Sequence, residues 1–176
     1  GIIMPDADLD QAVADIVGAA YGSAGERCMA LPVVIPVGEA TAVEFRKRLL
    51  IEIGKLRVGV STDPDAHYGP VVGAGHKARV ESYIQTAVDE GAELVVDGRG
   101  FSLQGYENGY FLAPTLLDHV TPNMKSYQDE IFGPVLQIIR AATLEEALQH
   151  PTKHQYGNGV AIFTRNGPAA REFAAQ

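Results

Sequence analysis

The chain has 176 residues, of which 46% are hydrophobic and 20% charged, enough for one domain with an apolar core of ordinary size. A net charge of −8 without any basic stripe excludes nucleic acid as the main partner, and no apolar run reaches the roughly 18 residues of a membrane-spanning helix. A single cysteine excludes an internal disulfide framework and suits a reducing compartment. No signal-peptide pattern is present, and both termini read as running text, so the chain is expected to be cut from something longer.

Asp6-Ala7-Asp8 offers N-cap candidates for a helix over 7–21, where Leu9, Ala12, Val13, Ile16, Val17 and Ala20 recur at helical spacing. Gly22 and Gly25 are its terminators, which leaves Cys28 on a connecting turn just past the helix end. Val33-Val34-Ile35-Pro36-Val37 reads as a buried strand stopped by Gly38. A second helix is expected over 41–55, with Val43, Phe45, Leu49, Leu50 and Ile53 on its apolar side. The polar segment 61–70 is kept irregular by two prolines and a glycine.

A third helix follows over 75–90, with Val80, Tyr83, Ile84, Ala87 and Val88 facing inward, and Gly91 ends it. Residues 93–96 read as a short strand, and the glycine-rich stretch 97–109 as an excursion. Residues 111–117 are extended, and Pro114 argues for an edge or irregular strand. The remaining elements are a strand at 135–139, a short helix at 143–149, a buried strand at 160–163 and a helix from 168. Strands alternating with helices give an α/β layer architecture.

Cys28 lies in Gly25-Glu26-Arg27-Cys28-Met29-Ala30, a lone thiol beside a permanent cation on a glycine-marked turn. A neighbouring guanidinium favours the thiolate, the nucleophilic form, although a free cysteine is as readily a small core residue. No dinucleotide fingerprint and no phosphate-cradling Gly-Lys-Ser/Thr follows a strand. Five histidines are present: His67, His76, His119, His150 and His154. The last two have the spacing of a helical metal pair, but Pro151 between them is expected to break the helix they need, so no metal is expected. No histidine adjoins Cys28 in sequence, so a cysteine–histidine hydrolase pair would have to be assembled in space. Asp129-Glu130-Ile131-Phe132-Gly133-Pro134 reads either as a capped turn with Phe132 in the core or as a binding edge. In the second reading Glu130 accepts from vicinal hydroxyls and Phe132 is a flat platform.

Gly25-Glu26-Arg27-Cys28, followed by Glu130-Ile131-Phe132-Gly133-Pro134, resembles the catalytic domain of the aldehyde dehydrogenase superfamily. Pro5-Asp6-Ala7-Asp8-Leu9-Asp10, Tyr68-Gly69-Pro70, Gly109-Tyr110-Phe111 with Pro114-Thr115, and Tyr156-Gly157 with Ala161-Ile162-Phe163-Thr164 fall in the family's order. Gly25–Ala30, Val37-Gly38-Glu39 and Asn158–Arg165 are most similar to its CoA-acylating methylmalonate-semialdehyde branch.

The resemblance implies a three-layer α/β/α catalytic domain over 1–176, truncated at both ends, without the nucleotide-binding domain or the C-terminal oligomerisation strand. It implies Cys28 as nucleophile, Glu130 on the nicotinamide-ribose hydroxyls, Phe132 beside the nicotinamide and Arg27 on the substrate carboxylate. NAD is then the cofactor and coenzyme A the acyl acceptor. The intact protein is expected as a dimer or tetramer in bacterial cytoplasm or the mitochondrial matrix, and the isolated piece is expected to be inactive. The competing expectations are a hydrolytic semialdehyde dehydrogenase, a non-catalytic protein derived from a dehydrogenase, and an unrelated cysteine hydrolase.

Overall fold

Ile2–Ile3 forms a two-residue strand, β1, that the sequence reading missed. Such a short apolar run has no period of its own, and it becomes a strand only because it is hydrogen-bonded between two neighbours. The structure is a computed structural model and describes residues 1–175. After β1 come α1 (Leu9–Tyr21), β2 (Val33–Pro36), α2 (Glu39–Ile53), α3 (Ala74–Asp89), β3 (Glu93–Val96) and β4 (Thr115–Asp118). These are followed by α4 (Lys125–Gln128), β5 (Val135–Ile138), α5 (Leu144–Lys153), β6 (Ile162–Phe163) and α6 (Gly167–Ala175).

The strands form one six-stranded sheet in the order β3-β4-β5-β2-β1-β6. Only β3 runs antiparallel to its neighbour; the β4–β5, β5–β2, β2–β1 and β1–β6 pairs are parallel. All four residues of β4 and of β5 are buried. Successive strand residues point to opposite faces, so both faces of the central sheet are covered, which is the three-layer arrangement. Helix α1 packs on α2 and β5, α2 on β2, and α3 on α4.

Side-chain caps mark the starts of two helices. The Asp8 carboxylate accepts from the Gln11 amide at 3.2 Å and caps α1. Thr143 caps α5 by accepting from the Glu146 amide at 3.2 Å. Four expectations are corrected. In α2 the buried residues are Thr41, Ala42, Phe45, Leu49 and Ile53, while Val43 and Leu50 are exposed. The inward face is set by α1, and it is narrower than the apolar run suggested. Pro114 does not mark an edge: β4 lies between β3 and β5, and the proline sits just before it, where no ladder N–H is needed.

Helix α5 runs through Pro151 to Lys153 instead of breaking. The proline falls in the last turn, where only one backbone bond is lost, and the Thr152 hydroxyl donates to the Leu148 carbonyl at 2.8 Å. Finally, 160–163 is not a buried strand. Only Ile162–Phe163 pairs, at the sheet edge, and both residues are half-buried.

Candidate active site

The two motifs marked in the sequence meet at the amino-terminal ends of the parallel strands. The Cys28 turn leads into β2, and Gly133 leads into β5. Between α1 and Cys28 the backbone makes an uncommon run: Ser23, Ala24 and Gly25 have φ of 54°, 56° and 71°. Left-handed conformations cost non-glycine residues about 1–2 kcal/mol each, so this turn is strained at Ser23 and Ala24. Gly25 cannot be replaced without movement, because a Cβ there would stand 2.2 Å from the Gly133 carbonyl oxygen. The thiol turn and the acid–aromatic segment therefore touch backbone to backbone.

Cys28 is exposed, not buried in the core. The Asn158 side-chain amide donates to its carbonyl oxygen at 3.0 Å. Met29 beside it is exposed and lies under Gly159, where a Cβ would come within 2.7 Å of its methyl group. The loop after α5 thus covers the thiol turn from one side. Its anchor is His154, whose ring lies edge-on to Tyr127 with centroids 4.6 Å apart and whose Nε2 is 2.7 Å from the Tyr127 carbonyl oxygen.

Arg27 turns back onto its own helix. Its Nη2 donates to the Gly18 and Ala19 carbonyls in the last turn of α1 at 2.6 and 3.1 Å, beside the Gly22 and Leu31 amides that these carbonyls also accept from. These contacts make Arg27 a C-terminal cap for α1. Nε and Nη1 have no hydrogen-bond partner among the described residues, and the residue is exposed.

On the other side, α3 grips the backbone of the acid–aromatic segment. Arg79 donates to the Glu130 and Ile131 carbonyls at 2.7 and 2.9 Å, and His76 Nε2 lies 2.7 Å from the Phe132 carbonyl. The Tyr83 hydroxyl donates to Asp129 at 2.8 Å, and this bond, then burial, pushes the phenol above its ordinary range. Arg79 also lies over the Tyr83 ring, 5.0 Å from its centroid.

Three successive carbonyls are held from behind, so the side chains of Glu130 and Phe132 are left to face elsewhere. Glu130 is exposed, with no hydrogen bond or ion pair to its carboxylate among the described residues. Phe132 is half-buried at φ 59°, a second left-handed non-glycine position. This pattern fits a group bearing vicinal hydroxyls next to a flat ring: a free carboxylate to accept from the hydroxyls and an aromatic face beside it.

The opposite, carboxyl-terminal end of the sheet is closed by ion pairs. Asp118, fully buried at the end of β4, accepts from Arg46 at 2.9 Å and from Arg140 at 2.7 Å. Arg46 also holds Glu93 in a two-pronged contact, and Arg140 holds Glu39. Burial would raise the Asp118 carboxyl, but Arg140 and the His119 amide outweigh it and hold it below the usual range. Asp118, Glu93 and His119 lie close enough to share a cation, but the two carboxylates are already taken by arginine. A cleft of about 530 Å³ beside Tyr127, His150 and His154 and another of about 470 Å³ beside Tyr68, Tyr106 and Phe111 do not have Cys28 in their walls.

The family model for the aldehyde dehydrogenase family matches residues 1–176. The chain belongs to the aldehyde dehydrogenase family. It is 52% identical over 172 residues to the malonate-semialdehyde dehydrogenase of Pseudomonas aeruginosa, covering 98% of this chain and 35% of that protein. It is 44% identical over 174 residues to the human mitochondrial methylmalonate-semialdehyde/malonate-semialdehyde dehydrogenase [acylating], covering 99% and 32%. Among solved structures it superposes with a TM-score of 0.98 on an NAD complex from Sinorhizobium meliloti 1021, assigned as a methylmalonate-semialdehyde dehydrogenase. The two are 56% identical, and the match covers 99% of this chain and 36% of that one. The chain thus spans about a third of the length of the relatives it matches.

Within this aldehyde dehydrogenase chain, sequence reasoning missed four site-building residues: His76, Arg79, Tyr83 and Asn158. The first three recur at i, i+3 and i+7, a polar-tipped stripe on one helix face, but Tyr83 reads from the sequence as part of the apolar face. Asn158 stands between two glycines, a signal for a loop but not for what that loop covers.

Proposed function

We propose that residues 1–176 are the thiol-bearing catalytic domain of an NAD-dependent aldehyde dehydrogenase that acts on malonate or methylmalonate semialdehyde and passes the acyl group to coenzyme A. The observation that carries the reading is the backbone contact of Gly25 with Gly133, which brings an exposed Cys28 and an unpaired Glu130 beside Phe132 onto one edge. The relatives' names supply the substrate class, and the human relative's includes "acylating". About two thirds of the relatives' length is unmatched, which leaves room for a nucleotide-binding domain outside residues 1–176 and supports this reading.

Cys28 is the nucleophile: its sulfur attacks the aldehyde carbon and gives a thiohemiacetal. Glu130 accepts from the ribose hydroxyls and Phe132 flanks the nicotinamide, holding the cofactor against the thiol turn. NAD, when bound, supplies the hydride acceptor that leaves a thioester on Cys28. Arg27, with Nε and Nη1 unused, attracts the substrate carboxylate toward the turn while Nη2 stays on α1. After loss of CO2 the thioester is captured by the coenzyme A thiol, giving acetyl-CoA or propionyl-CoA and freeing Cys28.

The cysteine-hydrolase alternative lacks support. Nε2 of His76, a histidine in contact with the turn's Glu26, is occupied by the Phe132 carbonyl and Glu26. The working compartment is proposed as bacterial cytoplasm or mitochondrial matrix; no described helix is long and apolar enough to cross a membrane. The test is NADH formation by the full-length protein from each semialdehyde, with products analysed with and without coenzyme A. Acyl-CoA formation that disappears in Cys28→Ser is the expected result. A free acid formed equally fast without coenzyme A would replace acyl transfer by hydrolysis, and no NADH formation would overturn the reading.

A further inference from the structure

We propose that His76 is a positioning residue that couples the Cys28 turn to Phe132, so that a change at the thiol is felt at the aromatic ring; its catalytic meaning rests on the reading of Cys28 and Phe132 given above. His76 stands in the first turn of α3, with its side chain 16% exposed. Its Nε2 lies 2.7 Å from the Phe132 carbonyl and 3.2 Å from Glu26 Oε1. Both partners are acceptors, so Nε2 carries the proton and shares it between them. The same Glu26 oxygen accepts from the Val72 amide at 3.1 Å, which fixes the carboxylate against the start of α3. One N–H therefore ties together the residue two places before the nucleophile and the residue proposed to face the nicotinamide.

No other described contact does this. Arg79 holds the Glu130 and Ile131 carbonyls but not that of Phe132. The Gly25–Gly133 contact is steric, so it can push the two segments apart but cannot pull them together. Phe132 is at φ 59°, where a restraint on its carbonyl also sets the direction of its ring. Releasing the His76 bond frees that peptide to rotate toward ordinary dihedrals and takes the ring with it.

Residues 1–176 hold one cysteine and no tryptophan, so the coupling can be read in the full-length protein once any cysteine or tryptophan outside these residues is replaced by serine or phenylalanine. In that background Phe132→Trp places a single indole at the ring position, and iodoacetamide alkylates only Cys28 among cysteines. With His76 present, alkylation is expected to shift the emission of that indole. In His76→Leu the shift is expected to fall at least about threefold at unchanged thermal midpoint, and His76→Gln, whose amide donates in place of the imidazole, restores it. Glu26→Met removes the acceptor on the other arm without substituting a residue of α3 and is expected to reduce the shift in the same direction, which keeps the test decisive if His76→Leu does not fold. An indole response that is absent with His76 present, or equal in all variants, overturns the proposal. The measurement needs no turnover. A protein that couples in this way but oxidises no aldehyde refutes only the functional reading, and one that oxidises aldehydes with equal indole responses in every variant refutes only the coupling.

Discussion

The two ends of the central sheet solve opposite problems. At the carboxyl ends of the strands, where open α/β sheets usually leave a ligand crevice, Asp118, Arg46, Arg140, Glu39 and Glu93 close the space with mutually satisfied charges. At the amino ends the backbone is strained, two glycines touch, and a thiol and the Glu130 carboxylate have no partner among the described residues. One end spends its polar groups on each other, and the other keeps them free at a conformational cost. Strain and unused donors and acceptors collecting together are the marks of a working surface, and a saturated ion network is the mark of a structural one.

The sharpest way to break this contrast is at Cys28. Cys28→Ser should lower NAD reduction by the full-length enzyme by about a thousandfold or more, while the thermal midpoint moves little, since the residue is exposed. Next in size is Gly25→Ala, which adds a clash with the Gly133 carbonyl at a left-handed φ and should cost about 3 kcal/mol in chemical denaturation. A cost below about 0.5 kcal/mol would show that the two segments are not pressed together.

At the saturated end, Asp118→Asn strands two arginines. Both are partly exposed, so water offsets much of the loss and about 2 kcal/mol is expected. The native Asp118 carboxyl titrates below its unfolded value of about 3.9, so its contribution is present above that pH and is lost as pH falls through the lower native value. Between about pH 5 and 2 the wild type should therefore lose more stability than Asp118→Asn, and parallel acid limbs would count against the pairing. The smallest expected effect is a gain: Ser23→Gly relieves a left-handed serine and should stabilise by about 1 kcal/mol.

The sequence made much of the fold legible, because α1, α2, α3, β2, β3 and β5 carry their own periodicity and terminators. The failures share one cause. β1 and β6 are two-residue strands that exist only through their neighbours, and at Pro114 and Pro151 position in the sheet or helix overrides the local rule. At the site, Cys28, Glu130 and Phe132 stand out as residue types in marked turns. What joins them, the Gly25–Gly133 contact and the grip of His76 and Arg79, depends on pairs 51 to 108 residues apart and has no local signature. Arg27 shows the opposite limit: its place beside the thiol is legible, but its use as a helix cap is not.

The Asn158 amide that holds the Cys28 carbonyl comes from a residue 130 positions further along the chain. During synthesis the cysteine leaves the ribosome long before its tether exists, at elongation rates of about 5–20 residues per second. For several seconds or more the nascent polypeptide carries an unsecured sulfhydryl, and its turn gains that tether only once Asn158 has emerged.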